Sequence, residues 1–126
     1  MSPHILVVED SPLVIGALRA LFEAMGHRFS EASTIADALR LFREDSPDVV
    51  LLDLTLPDGS GTEVLEFLRG RDGAPITAVL TGHDDRVLAE RCLALGCREV
   101  LLKPVPPREL LRKVEGWCGV GGRGGA

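Results

Sequence analysis

The sequence of 126 residues lacks long apolar runs, has few cysteines and has fewer basic than acidic side chains. Its apolar stretches are only a few residues long, which is too short to cross a membrane. The N-terminal stretch MSPHILVVED reaches acidic residues at once and has no basic region before its apolar run. It therefore does not have the pattern of a signal peptide, and a cytoplasmic location is the default expectation.

The shortage of basic residues and of cysteines excludes further classes of protein. A formal net charge of −5 argues against direct binding of DNA or RNA, which normally needs a basic face. Cys92, Cys97 and Cys118 form no CxxC pair and no zinc pattern. We expect all three to be small apolar residues in a reducing compartment.

The apolar residues that are present alternate between two periodicities, as expected of one α/β domain. Continuous apolar runs or strand-like segments predict five strands, at 5–8, 27–32, 49–52, 76–80 and 100–102. The segment at 27–32 is the most polar of the five and is typical of an edge strand. Apolar residues at helical spacing predict five helices after these strands, with their apolar positions at 14–25, 35–42, 64–68, 87–95 and 110–117.

Local signals support the helix boundaries and the order of elements. Ser11 is a suitable N-cap, Pro12 fits the first turn of the same helix, and Gly26 follows its end. The second helix begins after Ser33 or Thr34. Five strand–helix repeats of this length predict parallel strands with helices on both faces of the sheet. The segment 119–126, GVGGRGGA, is interpreted as a glycine-rich flexible tail or linker remnant.

Four of the five predicted strands end in a polar residue. The first is followed by Glu9 and Asp10, the third by Asp53, the fourth by Thr81 and the fifth by Lys103. The carboxyl ends of parallel strands lie at one edge of the sheet, and ligands of such folds bind there. We therefore expect these side chains to form one site.

The residue types of this site are suited to phosphate chemistry. Three neighbouring carboxylates repel one another unless they take up protons or surround a cation. A ligand set made only of oxygen favours a hard ion such as Mg²⁺. Lys103 provides a positive charge, and Thr81 a hydroxyl donor, for a phosphoryl group. Asp53 is a candidate nucleophile, because carboxylates form aspartyl-phosphates.

These residues occur in motifs that resemble the bacterial response-regulator receiver domain. The motifs are ILVVED with Glu9 and Asp10, VVLLDLTLPDGSG with Asp53, AVLTG with Thr81, and LALGCREVLLKP with Lys103. The resemblance covers about residues 3–118, which we expect to form the receiver domain. It implies a doubly wound, flavodoxin-like fold with a five-stranded parallel sheet in the order 2-1-3-4-5.

The resemblance also implies a role for each residue of the site. Glu9 and Asp10 hold Mg²⁺, with Asp10 the direct ligand. Asp53 is both a metal ligand and the acceptor of a phosphoryl group from the phosphohistidine of a sensor kinase or phosphotransfer protein. The backbone carbonyl of Thr55 completes the metal ligands of the protein. The protein is then a phosphoacceptor switch rather than an enzyme, with self-catalysed phosphorylation and dephosphorylation at most.

The remaining implications concern Lys103, Thr81 and the partners. Lys103 contacts the phosphoryl group, Thr81 senses it, and the peptide bond between Lys103 and Pro104 is cis. The resemblance allows a homodimer on phosphorylation and requires an output partner that the sequence does not name. The short apolar runs predict no contact with a membrane.

The sequence departs from the common family pattern at three positions. Val100 replaces an aromatic residue that is thought to change rotamer on activation, and Cys97 replaces a common alanine. His83 lies two residues after Thr81, where its side chain either approaches the phosphoryl group or is solvated.

Two other functions would use similar folds. A Mg²⁺-dependent phosphohydrolase that forms an aspartyl-phosphate needs a second acid two residues after the nucleophile, where this chain has Thr55. A flavin mononucleotide binder needs a Ser/Thr/Gly-rich phosphate loop after the first strand, where this chain has acids. An inactive receiver has no support, because every site residue is present.

Overall fold

Five parallel strands form the centre of the structure, a computed structural model that describes residues 3–119. The seven strands of the chain are β1 (His4–Val8), β2 (Arg28–Ala32), β3 (Val49–Asp53), β4 (Thr55–Leu56), β5 (Gly59–Ser60), β6 (Ile76–Thr81) and β7 (Glu99–Leu102). The five helices are α1 (Pro12–Ala24), α2 (Ile35–Glu44), α3 (Thr62–Leu68), α4 (Arg86–Ala94) and α5 (Pro107–Cys118). Apart from Gly119, the predicted tail at 119–126 lies outside the described residues.

The strand order of the main sheet is β2-β1-β3-β6-β7, and all neighbouring strands are parallel. The strands β4 and β5 form a separate short hairpin, so this order corresponds to the predicted order 2-1-3-4-5. The prediction of a doubly wound sheet is confirmed, and the polar segment β2 is an edge strand as expected. No helix among residues 3–119 is long and apolar enough to span a bilayer.

Alternate residues of the central strands pack on opposite faces of the sheet, and each face has its own buried core. The first core contains side chains from α2, α3 and α4, and the second contains side chains from α1 and α5. In β1, for example, Leu6 and Val8 belong to the first core, whereas Ile5 and Val7 belong to the second. This burial on both faces explains why the strands are continuous apolar runs.

Side-chain caps fix the starts of three helices. The side chains of Ser11, Thr34 and Asp85 each accept a hydrogen bond from a backbone N–H in the first turn of the helix that follows. The structure therefore selects Thr34 over Ser33 as the cap of α2. The cap of α4 at Asp85 was not predicted, although Asp is a preferred residue at this position.

The segment after Asp53, predicted to be a loop, contains a short hairpin. Thr55 pairs with Ser60, and Leu56 pairs with Gly59, in an antiparallel hairpin. At Gly61 there is no space for a side chain, because a Cβ atom would lie 2.4 Å from the backbone oxygen of Asp53. Strands of two residues have no measurable periodicity, so the sequence does not reveal them.

The cysteines have the environment expected of inert residues. Cys92 and Cys97 are buried, Cys118 is half-buried, and all three are free thiols. Burial raises the pKa of each thiol, and that of Cys97 to about 11. They therefore remain protonated near neutral pH and are poor nucleophiles.

A buried hydrogen bond connects the residue just before the edge strand to the last helix. The His27 ring is 2.7 Å from Glu115 through its Nε2 atom, and the two side chains are 3% and 17% exposed. Among the described residues, Nδ1 of the same ring has no hydrogen-bond partner. The carboxylate of Glu115 is thus the partner on which the buried imidazole depends.

We predict that Glu115→Ala lowers the free energy of unfolding by about 1–3 kcal/mol, because it leaves a buried polar ring without a partner. Urea unfolding measures this change. The control is Glu44→Ala, which removes an ion pair of 3.0 Å with Arg40 between side chains that are 56% and 54% exposed. Its expected cost is about 0.5 kcal/mol or less. Equal losses in the two variants would contradict the prediction.

Candidate functional site

The predicted site residues meet at the carboxyl edge of the sheet. Glu9 and Asp10 follow β1, Asp53 ends β3, Thr81 ends β6 and Lys103 follows β7. These four strands are neighbours in the sheet and are all parallel, so their carboxyl ends lie side by side. The fold therefore brings all five predicted side chains to one edge of the sheet.

Lys103 is the central contact of this cluster. Its Nζ atom donates hydrogen bonds to Oε1 of Glu9 at 3.0 Å and to Oδ2 of Asp53 at 3.2 Å. Its backbone N–H donates to the carbonyl of Thr81 at 2.7 Å, which fixes its place beside the end of β6. The peptide bond between Lys103 and Pro104 is cis, as predicted.

The two carboxylates control the ionisation of Lys103. Burial by itself would lower the pKa of the ammonium group, but the hydrogen bonds to Glu9 and Asp53 outweigh this effect. The pKa of Lys103 is consequently raised above its ordinary value of 10.5. Lys103 is therefore a full positive charge near neutral pH.

Glu9 and Asp53 are each held by a second hydrogen bond from their own strand end. Glu9 is 2% exposed, and its Oε2 accepts from the backbone N–H of Ser11 at 3.2 Å. Asp53 is 7% exposed, and its Oδ1 accepts from the backbone N–H of Thr55 at 3.1 Å. Each carboxylate thus has one oxygen oriented by the backbone and one facing Lys103.

Asp10 completes a set of donors that fits a hard cation. Glu9, Asp10 and Asp53 each have a carboxylate oxygen that lies within 4.8 Å of the corresponding oxygens of the other two acids. Asp10 is exposed, whereas the other two acids are buried, so the set is open to solvent on the Asp10 side. Three carboxylates without nitrogen or sulfur are the ligands that Mg²⁺ prefers. The residues present therefore fit the predicted metal.

The hydroxyl of Thr81 forms the other side of the site. Thr81 is 6% exposed, and its Oγ1 accepts a hydrogen bond from the backbone N–H of His83 at 3.1 Å. The hydroxyl hydrogen remains available as a donor.

The side chain of His83 is exposed. Val100 is half-buried in β7 opposite Val79, and it packs against the core that contains α4.

One residue that orders the site's surroundings was missed by the sequence analysis. The carboxylate of Asp58 accepts hydrogen bonds from the backbone N–H groups of Ile35 at 2.9 Å and Ala36 at 3.2 Å. In the sequence, Asp58 belongs to a Pro-Asp-Gly turn signal and is separated from Ile35 by 23 residues. No local pattern reveals such a contact.

The carboxyl edge of the sheet thus carries a carboxylate on its central strand, two further acids and a lysine. This arrangement is typical of α/β domains that bind phosphate groups. The chain matches the model of the response regulator receiver domain over residues 5–115, and it belongs to that family. The family predicted from the sequence motifs is thus confirmed.

Individual relatives agree with this assignment. The transcriptional regulatory protein KdpE of Mycobacterium tuberculosis is 40% identical over 110 residues, which cover 87% of this chain and 48% of that protein. The chain thus spans about half the length of the curated relatives it matches.

Solved structures agree as well. A receiver domain from Methanospirillum hungatei has a TM-score of 0.88 at 26% identity and covers 94% of this chain and 95% of its own. The receiver domain of a sensor histidine kinase from Pseudomonas aeruginosa has a TM-score of 0.81 at 26% identity, with coverage of 94% and 99%. That structure has a magnesium ion coordinated in its active-site cleft.

We predict that Lys103→Met destabilises the metal-free protein by roughly 1–3 kcal/mol. The loss is smaller than the ~3–5 kcal/mol of a fully buried pair, because the Lys103 side chain is 28% exposed. Because the folded-state pKa of Lys103 is raised, this stabilisation is present in full near neutral pH, below 10.5, and is lost as the pH rises through the raised pKa. Thermal unfolding at pH 7 with a chelator is therefore a valid measurement.

The control for this prediction is Lys113→Met. Lys113 has nearly the same exposure, 29%, and pairs at 2.9 Å with Glu99, whose side chain is 37% exposed. We expect it to cost at most about 1 kcal/mol. Addition of Mg²⁺ should restore stability to the Lys103 variant more than to the control. An equal response of both variants would contradict the role given to Lys103.

Proposed function

We propose that the chain is a phosphorylation-controlled switch in which Asp53 accepts a phosphoryl group from the phosphohistidine of a sensor kinase or phosphotransfer protein. The observation that carries the proposal is the environment of Asp53. Its carboxylate ends the central strand, 3.2 Å from the Lys103 ammonium and within one cluster with Glu9 and Asp10. A nucleophile, a cation and a set of metal ligands are thus together.

Glu9, Asp10, Asp53 and the backbone carbonyl of Thr55 are the proposed residues that would hold Mg²⁺. Of the two acids that follow β1, Asp10 is the direct ligand. When bound, the metal supplies positive charge that neutralises the phosphoryl oxygens. The chain's own residues position the acceptor. The backbone N–H of Thr55 holds one oxygen of Asp53 and leaves the other available for reaction.

In the transfer step, a carboxylate oxygen of Asp53 attacks the phosphorus atom. An O–P bond forms, the P–N bond to the donor histidine breaks, and the histidine nitrogen keeps the electron pair and takes up a proton. Lys103 changes partner from the Asp53 carboxylate to the new phosphoryl oxygens. The hydroxyl of Thr81 donates a hydrogen bond to the same group.

The proposed switch has no catalytic machinery beyond its own phosphorylation and dephosphorylation. The alternative, a Mg²⁺-dependent phosphohydrolase, is not favoured, because the position of its second acid is occupied by Thr55. Family membership also agrees with a receiver rather than with a hydrolase.

The partners follow from the same proposal. We expect a kinase or phosphotransfer protein as the phosphoryl source, an output partner and a cytoplasmic location, and we propose that phosphorylation allows a homodimer. The net charge of −5 agrees with the absence of direct nucleic-acid binding by this domain. We propose residues 3–118 as its extent.

We predict that Asp53 is the sole site of phosphorylation. Incubation with Mg²⁺ and a small acyl-phosphate donor should add the mass of one phosphoryl group to the wild-type chain and none to Asp53→Asn. The matched control is Asp84→Asn, which changes an exposed acid just beyond Thr81. It should be modified like the wild type. A phosphorylated Asp53→Asn variant would disprove the assignment.

We also predict that activation changes the segment 81–90 more than β7. A phosphoryl group that draws in the Thr81 hydroxyl disturbs its hydrogen bond with the His83 amide. Val100 is β-branched and has little rotation to offer in response. With Mg²⁺ and beryllofluoride, backbone NMR shifts should therefore concentrate in residues 81–90 and be small at 99–101.

The control for the NMR comparison is Thr81→Ala, which lacks the hydroxyl and should show smaller shifts in the same segment. Large shifts centred on Val100, with residues 82–90 unchanged, would show that the signal follows a different path.

A further inference from the structure

The short hairpin after Asp53 is held at its base and at its tip, and the tip contact comes from Asp58. The residues Pro57 and Asp58 connect β4 and β5. The two oxygens of Asp58 accept from the first two backbone N–H groups of α2, those of Ile35 and Ala36. These bonds lower the pKa of Asp58, so its carboxylate is ionised near neutral pH.

A second contact brings the same tip against α2. Gly59 has a φ of +147°, and a Cβ atom there would lie 3.1 Å from Cδ1 of Ile35. Leu56, which pairs with Gly59, is buried in the same apolar cluster as Ile35. The tip of the hairpin is therefore docked on the first turn of α2 by both polar and apolar contacts.

The base of the hairpin is joined to the phosphoacceptor strand. Thr55 donates its backbone N–H to the Asp53 carboxylate at 3.1 Å. The N–H of Gly61 donates to the carbonyl of Leu54 at 2.8 Å, on the other side of the hairpin. Thr55 thus lies between a base that is fixed to Asp53 and a tip that is fixed to α2.

From this arrangement we infer that Asp58 is a positioning residue for the metal site, which acts by fixing the hairpin that carries Thr55. The inference rests on the proposed function, in which the Thr55 carbonyl is a metal ligand. Mg²⁺ requires near-ideal octahedral geometry, so a small rotation of one ligand weakens its binding. Residues that orient metal ligands typically change affinity by about 10–100-fold when they are removed.

The chain offers a matched control on the same helix turn. The hydroxyl of Thr34 accepts a hydrogen bond from the backbone N–H of Asp37 at 3.1 Å, and it therefore also caps α2. Thr34 has no part in the hairpin. A role of Asp58 limited to helix stability predicts that Asp58→Ala and Thr34→Ala behave alike, whereas a positioning role predicts that they differ in metal binding.

The experiment is a titration of the full chain with MgCl₂, followed by the backbone amide NMR signals of the site, together with the melting temperature of each variant. We expect Asp58→Ala to weaken Mg²⁺ binding about tenfold. Thr34→Ala should lower the melting temperature comparably and change Mg²⁺ binding less than about twofold. Asp58→Asn keeps one acceptor oxygen and should restore part of the affinity.

The outcomes separate this inference from the function on which it rests. Suppose that the wild-type chain responds to Mg²⁺. If the Asp58 and Thr34 variants then weaken Mg²⁺ binding to the same extent, or if neither weakens it, the positioning role is wrong and the metal site stands. If the wild-type chain shows no response to Mg²⁺, the metal site itself is wrong, and the inference falls with it.

Hydrogen exchange of the Gly61 amide in metal-free protein provides a further test. Faster exchange in Asp58→Ala than in Thr34→Ala supports the link between tip and base.

Discussion

The contact of Lys103 with both Glu9 and Asp53 is the interaction on which the carboxyl edge of this sheet depends. Two carboxylates that are 2% and 7% exposed lie near a third acid, and a cluster of like charges is costly without a cation. The ammonium group of Lys103 supplies a positive charge to this cluster. The cis peptide bond and the backbone hydrogen bond to Thr81 accompany it at the end of β7.

The two apolar cores make this crowded edge possible, because they fix the strands that carry it. Each central strand contributes alternate side chains to the two faces, so a slip by one residue would exchange the cores as well as displace the acid at the strand end. The register that pairs Val8 with Leu52 therefore also sets the spacing between Glu9 and Asp53. The free energy of core packing holds the charges in place.

The sequence predicts most of this arrangement because most of it is local. Apolar runs reveal the strands, and the polar residue that follows each run is Glu9, Asp53, Thr81 or Lys103. What the sequence does not reveal depends on contacts between distant segments. Asp58 caps a helix 23 residues away, and His27 pairs with Glu115 across 88 residues. The sequence also does not distinguish Thr34 from Ser33 as the cap of α2, since both residue types suit the position.

The elements on the two sides of the site differ in how firmly they are packed. This difference determines which side moves more easily. On one side, the hairpin is bound to α2 through Asp58 and closed against Asp53 at Gly61. On the other side, α4 has a single buried residue, Cys92, and the residues between Thr81 and α4 are exposed. Segments with few buried contacts open at the lowest free energy. We therefore expect the loop after Thr81 and the start of α4 to absorb a change at Asp53, because movement there costs the least free energy.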